Sequence, residues 1–422
     1  MLATQYRALS AVITSSELAH HKDFILQNLL RPSFQLIPQN KKELLEPKPT
    51  YGGDLPWQYT LIKHNNHSCG VSRLGGDPDV PKDFVWPLIH FKNENNENKK
   101  KKEPVPYRFL GQINFADAEV ALLTATQHEI KKENTVVPKK EATEEDKRIF
   151  RYFRNILPSN NEHDLEKTIK KGLLSIFFAE TEDEDVFWGE KDFVKVFYFP
   201  CEATTTSENH NHHVNPHLER RAAPTPRDPS YSRTHTEGSL YLDLKPSFML
   251  PQDEFCIETV VTDATAYRED NKTCFPCYQN TEIKKTELPK TVPITTEEYD
   301  SYVYQEEIRN FLENYFDEPL DTTGNESVQK KRRRERWHVH NICTLFGFPR
   351  HATLCYDPVK HHEHEKKEEN EKSKKMLLPL FNTPSYYNEL HQCWADGDCM
   401  TILIALSDLQ KGNFENLEVV CG

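Results

Sequence analysis

Residues 72–118 decide the reading: SRLGGDPDVPKDFVWPLIHF at 72–91, a Lys/Asn-rich interruption, then YRFLGQINFADA at 107–118. Gly75 and Gly76 enter positive φ without steric cost, while Pro78, Pro81 and Pro87 hold φ at extended or turn values, so the segment opens with a rigid turn. A rigid turn beside an apolar strand either keeps a sheet in register or presents backbone groups to a ligand. Residues 109–115 read as a buried strand carrying the polar pair Gln112 and Asn114, and residues 117–124 as a short helix or turn. The interruption at 91–106 mixes acids and amides with its lysines and reads as a solvated loop, not a nucleic-acid patch.

Outward from this stretch, two further apolar runs read as strands. They are LLSIFFAE at 173–180, opened by Gly172, and FVKVFYF at 193–199, stopped by Pro200. Residues 239–261 read as short strands with turns at Pro246 and Pro251. Three helices are expected. The first covers 14–30, with a capping box of Thr14 and Glu17, and Pro32 ends it. The second covers 147–157, with Ile149, Phe153 and Ile156 or Leu157 on one face. The third covers 295–317, where Tyr304, Ile308, Phe311, Leu312 and Tyr315 follow helical spacing up to Pro319. The Pro-containing segment through Pro49 reads as a surface connection, making residues 1–50 a helical extension docked on a main body at 51–422.

The last third repeats the order of the first: a glycine/proline turn at Phe346–Pro349, a polar insertion at 359–375, then MLLPLFNT at 376–383, MTILIAL at 400–406 and Asp408–Leu409. The expectation is an α+β domain, β-rich, with flanking helices, long polar insertions and an internal duplication into half-repeats 51–237 and 238–422.

Composition narrows the function classes. A hydrophobic share of 36% is low for a compact globule, yet 23 Phe, 17 Tyr and 5 Trp supply core material, so polar insertions dilute an aromatic core. The net charge of −13 argues against a general nucleic-acid binder, which needs Lys and Arg to displace counterions from phosphates. No apolar run approaches the length of about 18 residues that a spanning helix needs, so no membrane partner is expected. The first residues are too polar for a secretory leader, and ten dispersed cysteines fit reduced thiols, so the expected location is cytoplasmic.

Cys274 and Cys277 have thioredoxin-like spacing, open to a redox pair, a zinc half-site or a plain loop; neither a following helix nor a second ligand pair supports the first two. His210, His212, His213 and His217, and likewise His361, His362 and His364, sit in polar insertions where adventitious metal affinity is the simpler reading. The basic run at 330–336 reads as a solvated linker or an anion-binding segment. Asp396 and Asp398 flank Gly397 after Trp394, with Gln112, Asn114 and Asp117 as the matching polar group of the first half. Paired carboxylates serve acid/base work or hold a divalent ion, but Asp-Gly-Asp ahead of a strand is also ordinary turn chemistry. A P-loop, a dinucleotide fingerprint and a Ser-His-Asp order are lacking, and neither a cofactor nor a metal is expected.

The motifs in their order, SRLGGDPDVPKDFVWP, RFLGQINFADA, KGLLSIFFAE with FVKVFYFP, FGFP and CWADGDCMTILIALSDLQKGNFENLEVV, resemble the YwqG-like family, the domain of unknown function DUF1963. The family signature falls on Gly75, Gly76, Pro78, Pro81, Trp86 and Pro87, on Leu110, Gln112, Ile113 and Asn114, and later on Gly347, Pro349, Trp394, Asp396, Gly397 and Asp398. This chain departs where relatives carry a second glycine, at Phe346, where they carry a Leu-Gln-Ile-Asp-like strand, at Leu378–Phe381, and at Ala395 of the tryptophan motif. The resemblance implies an intracellular, duplicated α+β protein with no established activity.

The resulting expectation is a binding or interaction protein for a protein or peptide partner, with Gly75, Gly76, Gln112, Asn114, Trp394, Asp396 and Asp398 as ligand-binding residues. The rival is an enzyme or metal-dependent binder using those polar groups in a cleft between the halves. A third reading is a secreted effector acting inside another cell.

Overall fold

Alternating or continuous runs of Val, Ile, Leu, Phe and Tyr favour the pleated, half-buried backbone, and such runs supply the long strands of this protein. The computed structural model describes residues 10, 31–39, 41–48, 55–63, 69–90, 103–127, 172–180, 192–200, 217–224, 238–249, 342–347, 377–390, 392, 394 and 399–421.

In chain order the strands are β1 (Arg31–Pro38), β2 (Lys41–Lys48), β3 (Leu55–Tyr59), β4 (Arg73–Leu74), β5 (Asp79–Pro81), β6 (Leu88–Ile89), β7 (Val105–Pro106) and β8 (Arg108–Asn114). They continue as β9 (Gly172–Phe178), β10 (Val194–Pro200), β11 (Leu218–Arg220), β12 (Leu240–Met249), β13 (Cys343–Phe346), β14 (Leu377–Pro384), β15 (Cys399–Ala405) and β16 (Leu417–Cys421). The helices described over their whole length are α1 (Phe115–Gln127), α2 (Tyr387–Leu390) and α3 (Leu406–Lys411).

Ten strands form one sheet in the order β10-β9-β8-β4-β12-β1-β13-β14-β15-β16, with antiparallel neighbours throughout, and the pairs β2–β3, β5–β11 and β6–β7 flank it. A twisted sheet this wide tends to curl. Here its two edges approach until Tyr198 of β10 meets Phe414, just ahead of β16, with ring centroids 5.6 Å apart. The sheet is nearly closed. Its first-half core centres on Phe177, whose ring lies 5.7 Å from Phe84, 5.4 Å from both Trp86 and Phe109, and 5.6 Å from Phe197.

The strand-rich part of the expected fold class is present. The helix expected near 117–124 is α1, begun two residues earlier, whereas the helices expected at 14–30, 147–157 and 295–317 lie outside the described residues. None of the described helices is long and apolar enough to cross a membrane.

Two expectations give way to strands. Residues 31–38, read as part of a surface connection, form β1 between β12 and β13, with Phe34 and Leu36 fully buried. Pro32 and Pro38 suggested a break, but the β13 ladder covers only Ser33–Leu36, so both prolines fall where no hydrogen bond to β13 is needed. Likewise Pro246 does not turn the chain. It sits within β12 opposite Phe34, and β4 pairs only with Leu240 and Tyr241, so the other edge of β12 asks for no amide at Pro246.

Both glycine/proline corners use left-handed backbone. Gly75 and Gly76 each have φ of 70°, and at the end of β13 Phe346 has φ of 60° and Gly347 of 88°. For Phe346 that conformation costs about 1–2 kcal/mol, offset by a ring buried in the core.

Gly111 of β8 marks a close approach of strands. A Cβ there would lie 2.7 Å from Leu74 Cδ2 and 2.8 Å from the Arg73 carbonyl oxygen, the latter being backbone that cannot swing away. Gly111→Val is therefore expected to destabilise the fold by about 1–3 kcal/mol or more, read as an earlier urea midpoint; an unchanged midpoint would show that β4 and β8 separate freely.

Candidate functional site

The rigid turn after β4 folds the chain back so that β5 delivers Asp79 to the foot of β8. Its carboxylate is fully buried and accepts four hydrogen bonds. Oδ1 accepts from Arg73 Nη2 at 3.0 Å and from Arg220 Nε at 3.0 Å. Oδ2 accepts from the Gly70 amide at 2.8 Å and from Gln112 Nε2 at 2.7 Å. The ladders explain the convergence: Arg73 faces Gln112 across β4–β8, and Arg220 faces Asp79 across β11–β5.

Burial by itself would raise the Asp79 pKa; Arg73, the Gly70 amide, Gln112 and Arg220 outweigh it and hold the carboxyl below its ordinary range. Burial pulls the Arg73 pKa down against the pull of Asp79, but a guanidinium keeps its proton in any protein setting. Arg220 is drawn upward by Asp79 in spite of burial. Burial first, then Asp79, pushes the Cys69 thiol up, and burial keeps the Tyr241 phenol protonated beyond its usual range. Two guanidiniums thus share one carboxylate. Arg73 Nη2 also donates to the Asp77 carbonyl, and Phe109 lies 5.7 Å from the guanidinium carbon.

The residues singled out from sequence divide into three groups. Gln112 and Asn114 come together beside Gly70. Gln112 Nε2 also donates to the Val71 carbonyl at 2.9 Å, and its Oε1 accepts from the Asp79 amide at 3.0 Å. Asn114 precedes α1: its Oδ1 accepts from the Ala116 amide at 2.9 Å, and its Nδ2 donates to the Gly70 carbonyl at 2.8 Å. Its own amide donates to Ser72 Oγ, whose hydroxyl donates to Asp117. Gly75 donates its amide to the Leu110 carbonyl and accepts from Ser239 Oγ, both at 2.8 Å, so these backbone groups bind within the fold.

Trp394 stands elsewhere, edge-on to Phe178 at 5.0 Å and to Phe193 at 6.4 Å, with Nε1 donating to the Pro384 carbonyl at 3.2 Å. Asp396 and Asp398 lie outside the described residues, as do Cys274, Cys277, His210, His212, His213, the second histidine cluster and the basic run. His217 is described and exposed. Among the described residues no three His, Cys, Asp or Glu side chains are placed to hold a metal ion.

On β13, β14 and β15 a neutral set lies side by side across the ladder. Thr344 faces Asn382 and Asn382 faces Thr401; Asn382 Nδ2 donates to Thr344 Oγ1 at 3.0 Å, and Thr401 Oγ1 donates to Asn382 Oδ1 at 2.7 Å. Sequence reading flagged Gln112 but missed Arg73, Asp79, Arg220 and Asn382. Nothing in the local sequence sets Arg73 and Asp79 apart, because Asp77, Lys82 and Asp83 stand in the same stretch. Chemically, the centre suits charge recognition more than proton transfer, because its amides are committed and its cations are arginines.

The family model described as Domain of unknown function (DUF1963) matches residues 72–124 and 157–421. No curated protein matches the sequence.

Proposed function

The chain belongs to the DUF1963 family, and from that footing we propose that it is a cytoplasmic binding module of two related halves that recognises an extended, apolar segment of a protein or peptide partner. The observation that carries the reading is the ridge at residues 84–89. Phe84 and Trp86 are buried, Trp86 Nε1 donates to the Tyr107 carbonyl at 2.9 Å, and Arg221 Nη1 donates to the Phe84 carbonyl at 2.7 Å. The side chains between and after them point outward: Val85 is 82% exposed and Leu88 41%. Exposed apolar groups on a backbone this firmly held offer contact area with little ordering cost on binding. Among the described residues β6 pairs on one edge only, with β7, leaving its other edge suited to strand addition.

The register supports the two-halves reading. The series β12-β4-β8-β9-β10 and β1-β13-β14-β15-β16 run outward from the sheet centre in the same antiparallel sense. Both carry a register shift, at Leu110 between β8 and β9 and at Leu380 between β14 and β15. Both have paired left-handed residues after the second strand. On this reading the first half begins near Arg31, and each half lends its first strand to the other.

The test is selection of displayed peptides against the immobilised full chain. Extended apolar peptides are expected to bind, with at least about tenfold weaker affinity for a Val85→Asp/Leu88→Asp variant, a change of roughly 1.4 kcal/mol. Stability of that variant should stay within about 0.5 kcal/mol because both sites are exposed. Equal affinity for both proteins would refute the ridge as the contact.

A further inference from the structure

Strand β11 comes from far along the chain and docks on the segment that leads into the ridge. Among the described residues it pairs only with β5, over Leu218–Arg220, and its side chains are half-buried. The Arg221 amide extends that pairing by one residue, donating to the Pro78 carbonyl at 3.0 Å. Successive side chains of an extended chain point to opposite sides, and the two arginines divide accordingly. Arg220 reaches the buried Asp79 carboxylate at 3.0 Å, whereas Arg221 Nη1 donates to the Phe84 carbonyl at 2.7 Å across a sequence separation of 137 residues.

We infer that β11 and Arg221 form a strap that sets the ridge, with Arg221 as the positioning residue for the partner that meets Val85 and Leu88; this rests on the ridge being the contact proposed above. The Phe84 ring is anchored on its own account, stacked on Phe177 at 5.7 Å and edge-on to Phe197 at 5.0 Å. A buried ring fixes the side chain but leaves the planar peptide between Phe84 and Val85 free to turn about its flanking dihedrals. That plane decides where the exposed Val85 points. The Phe84 amide is held locally by the Pro81 carbonyl at 3.0 Å, so the Phe84 carbonyl is the group through which a distant segment sets the plane, and Arg221 bonds it. On the far side the Pro87 carbonyl accepts from the Tyr107 amide at 3.0 Å. One end of the ridge is thus held by the nearby β7 segment and the other by the strap. A planar guanidinium gives a directional, charge-assisted bond, and a contact surface fixed beforehand loses less freedom on binding. A three-residue ladder with half-buried side chains opens at lower cost than a ten-stranded sheet, so docking of the strap can switch the ridge between set and loose while the sheet stays folded.

The test is native-state amide hydrogen exchange, followed as a function of urea, on the full chain as wild type, Arg221→Met and Arg221→Lys. Methionine keeps the stem of the side chain and removes its donors, whereas lysine keeps a cationic donor. Residues 79–86 are expected to exchange faster than β9 and with a weaker urea dependence, the mark of an opening that exposes little surface. Arg221→Met should quicken that exchange at least about tenfold through loss of a charge-assisted bond, and Arg221→Lys should lie closer to wild type. A synthetic peptide of the extended apolar type, taken from the selection above, should bind Arg221→Met at least about fivefold more weakly than wild type. Exchange across 79–86 that matches β9 in rate and urea dependence, exchange unchanged in Arg221→Met, or equal peptide affinity overturns the strap. The two readings fail separately: if no peptide binds the wild-type chain, the ridge loses its role as the contact, and the exchange data still decide the strap.

Discussion

Asp79→Ala is expected to lower the unfolding free energy at pH 7 by about 3–5 kcal/mol, the usual cost of removing one partner from a buried ion pair. The loss has two sources. Arg73 and Arg220 would face each other with no carboxylate between them, and the Gly70 amide and Gln112 Nε2 would lose their acceptor. Asp79→Asn keeps the volume but presents an amide to a set of donors, so it should approach the alanine variant in cost. The pH dependence follows from direction. The folded-state pKa of Asp79 lies below its ordinary value, so its contribution is fully present above the unfolded pKa, about 4, and is lost as pH falls through the folded value. The gap between wild type and Asp79→Asn, measured by urea denaturation, should therefore hold from pH 7 to about 5 and narrow below about 4. Replacing two members of the cluster by apolar groups of similar volume, as in Arg73→Met/Asp79→Leu, should recover part of the loss, because such swaps avoid leaving an orphaned charge. A single-variant loss under about 1 kcal/mol would mean that the cluster is looser than its hydrogen bonds imply.

The sequence speaks plainly where one short stretch contains its own cause. Strands β8, β9 and β10 are continuous apolar or aromatic runs, and their neighbours in the chain are also their neighbours in the sheet. The glycine/proline corners are legible for a similar reason, since Gly75 and Gly347 supply the left-handed backbone the turns require. What stays hidden depends on partners far along the chain. Strand β1 looks like a proline-bracketed connection until β12, more than 200 residues later, pairs with it. Arg220 is 141 residues from Asp79, in a polar insertion that reads as loop, and only the β5–β11 ladder joins them. Gln112 and Asn114 stood out as polar groups on an apolar strand, but their actual partners are backbone and Asp79, so they hold the turn that β4 feeds. On β14 the buried polar ladder position is Asn382, just after the Leu378–Phe381 segment, and its partners Thr344 and Thr401 come from the neighbouring strands.

Trp394 shows how a residue suggestive of a ligand site can instead be a clasp, and its removal should be among the most damaging changes in the protein. The indole is 2% exposed and fills the space between Phe178, at the end of β9, and Phe193, just ahead of β10. Its Nε1 and backbone amide bond to Pro384 and Ser385 at the end of β14. It therefore ties β9 and the approach to β10 to the end of β14, strands that are not sheet neighbours. Trp394→Ala is expected to cost about 3–5 kcal/mol, the range for truncating a buried large aromatic. Trp394→Phe keeps a ring against Phe178 but forfeits the bond to the Pro384 carbonyl, and the orphaned acceptor together with the lost ring area should cost about 1–3 kcal/mol. The two variants, compared by denaturant midpoint, separate clasp from contact residue. A side chain positioned to meet a partner tolerates truncation with a stability change within about 0.5 kcal/mol, and that result would return Trp394 to the binding surface. A graded loss, with alanine well beyond phenylalanine, fixes it as a clasp between β9 and the end of β14, and leaves the proposed contact to exposed groups such as Val85 and Leu88.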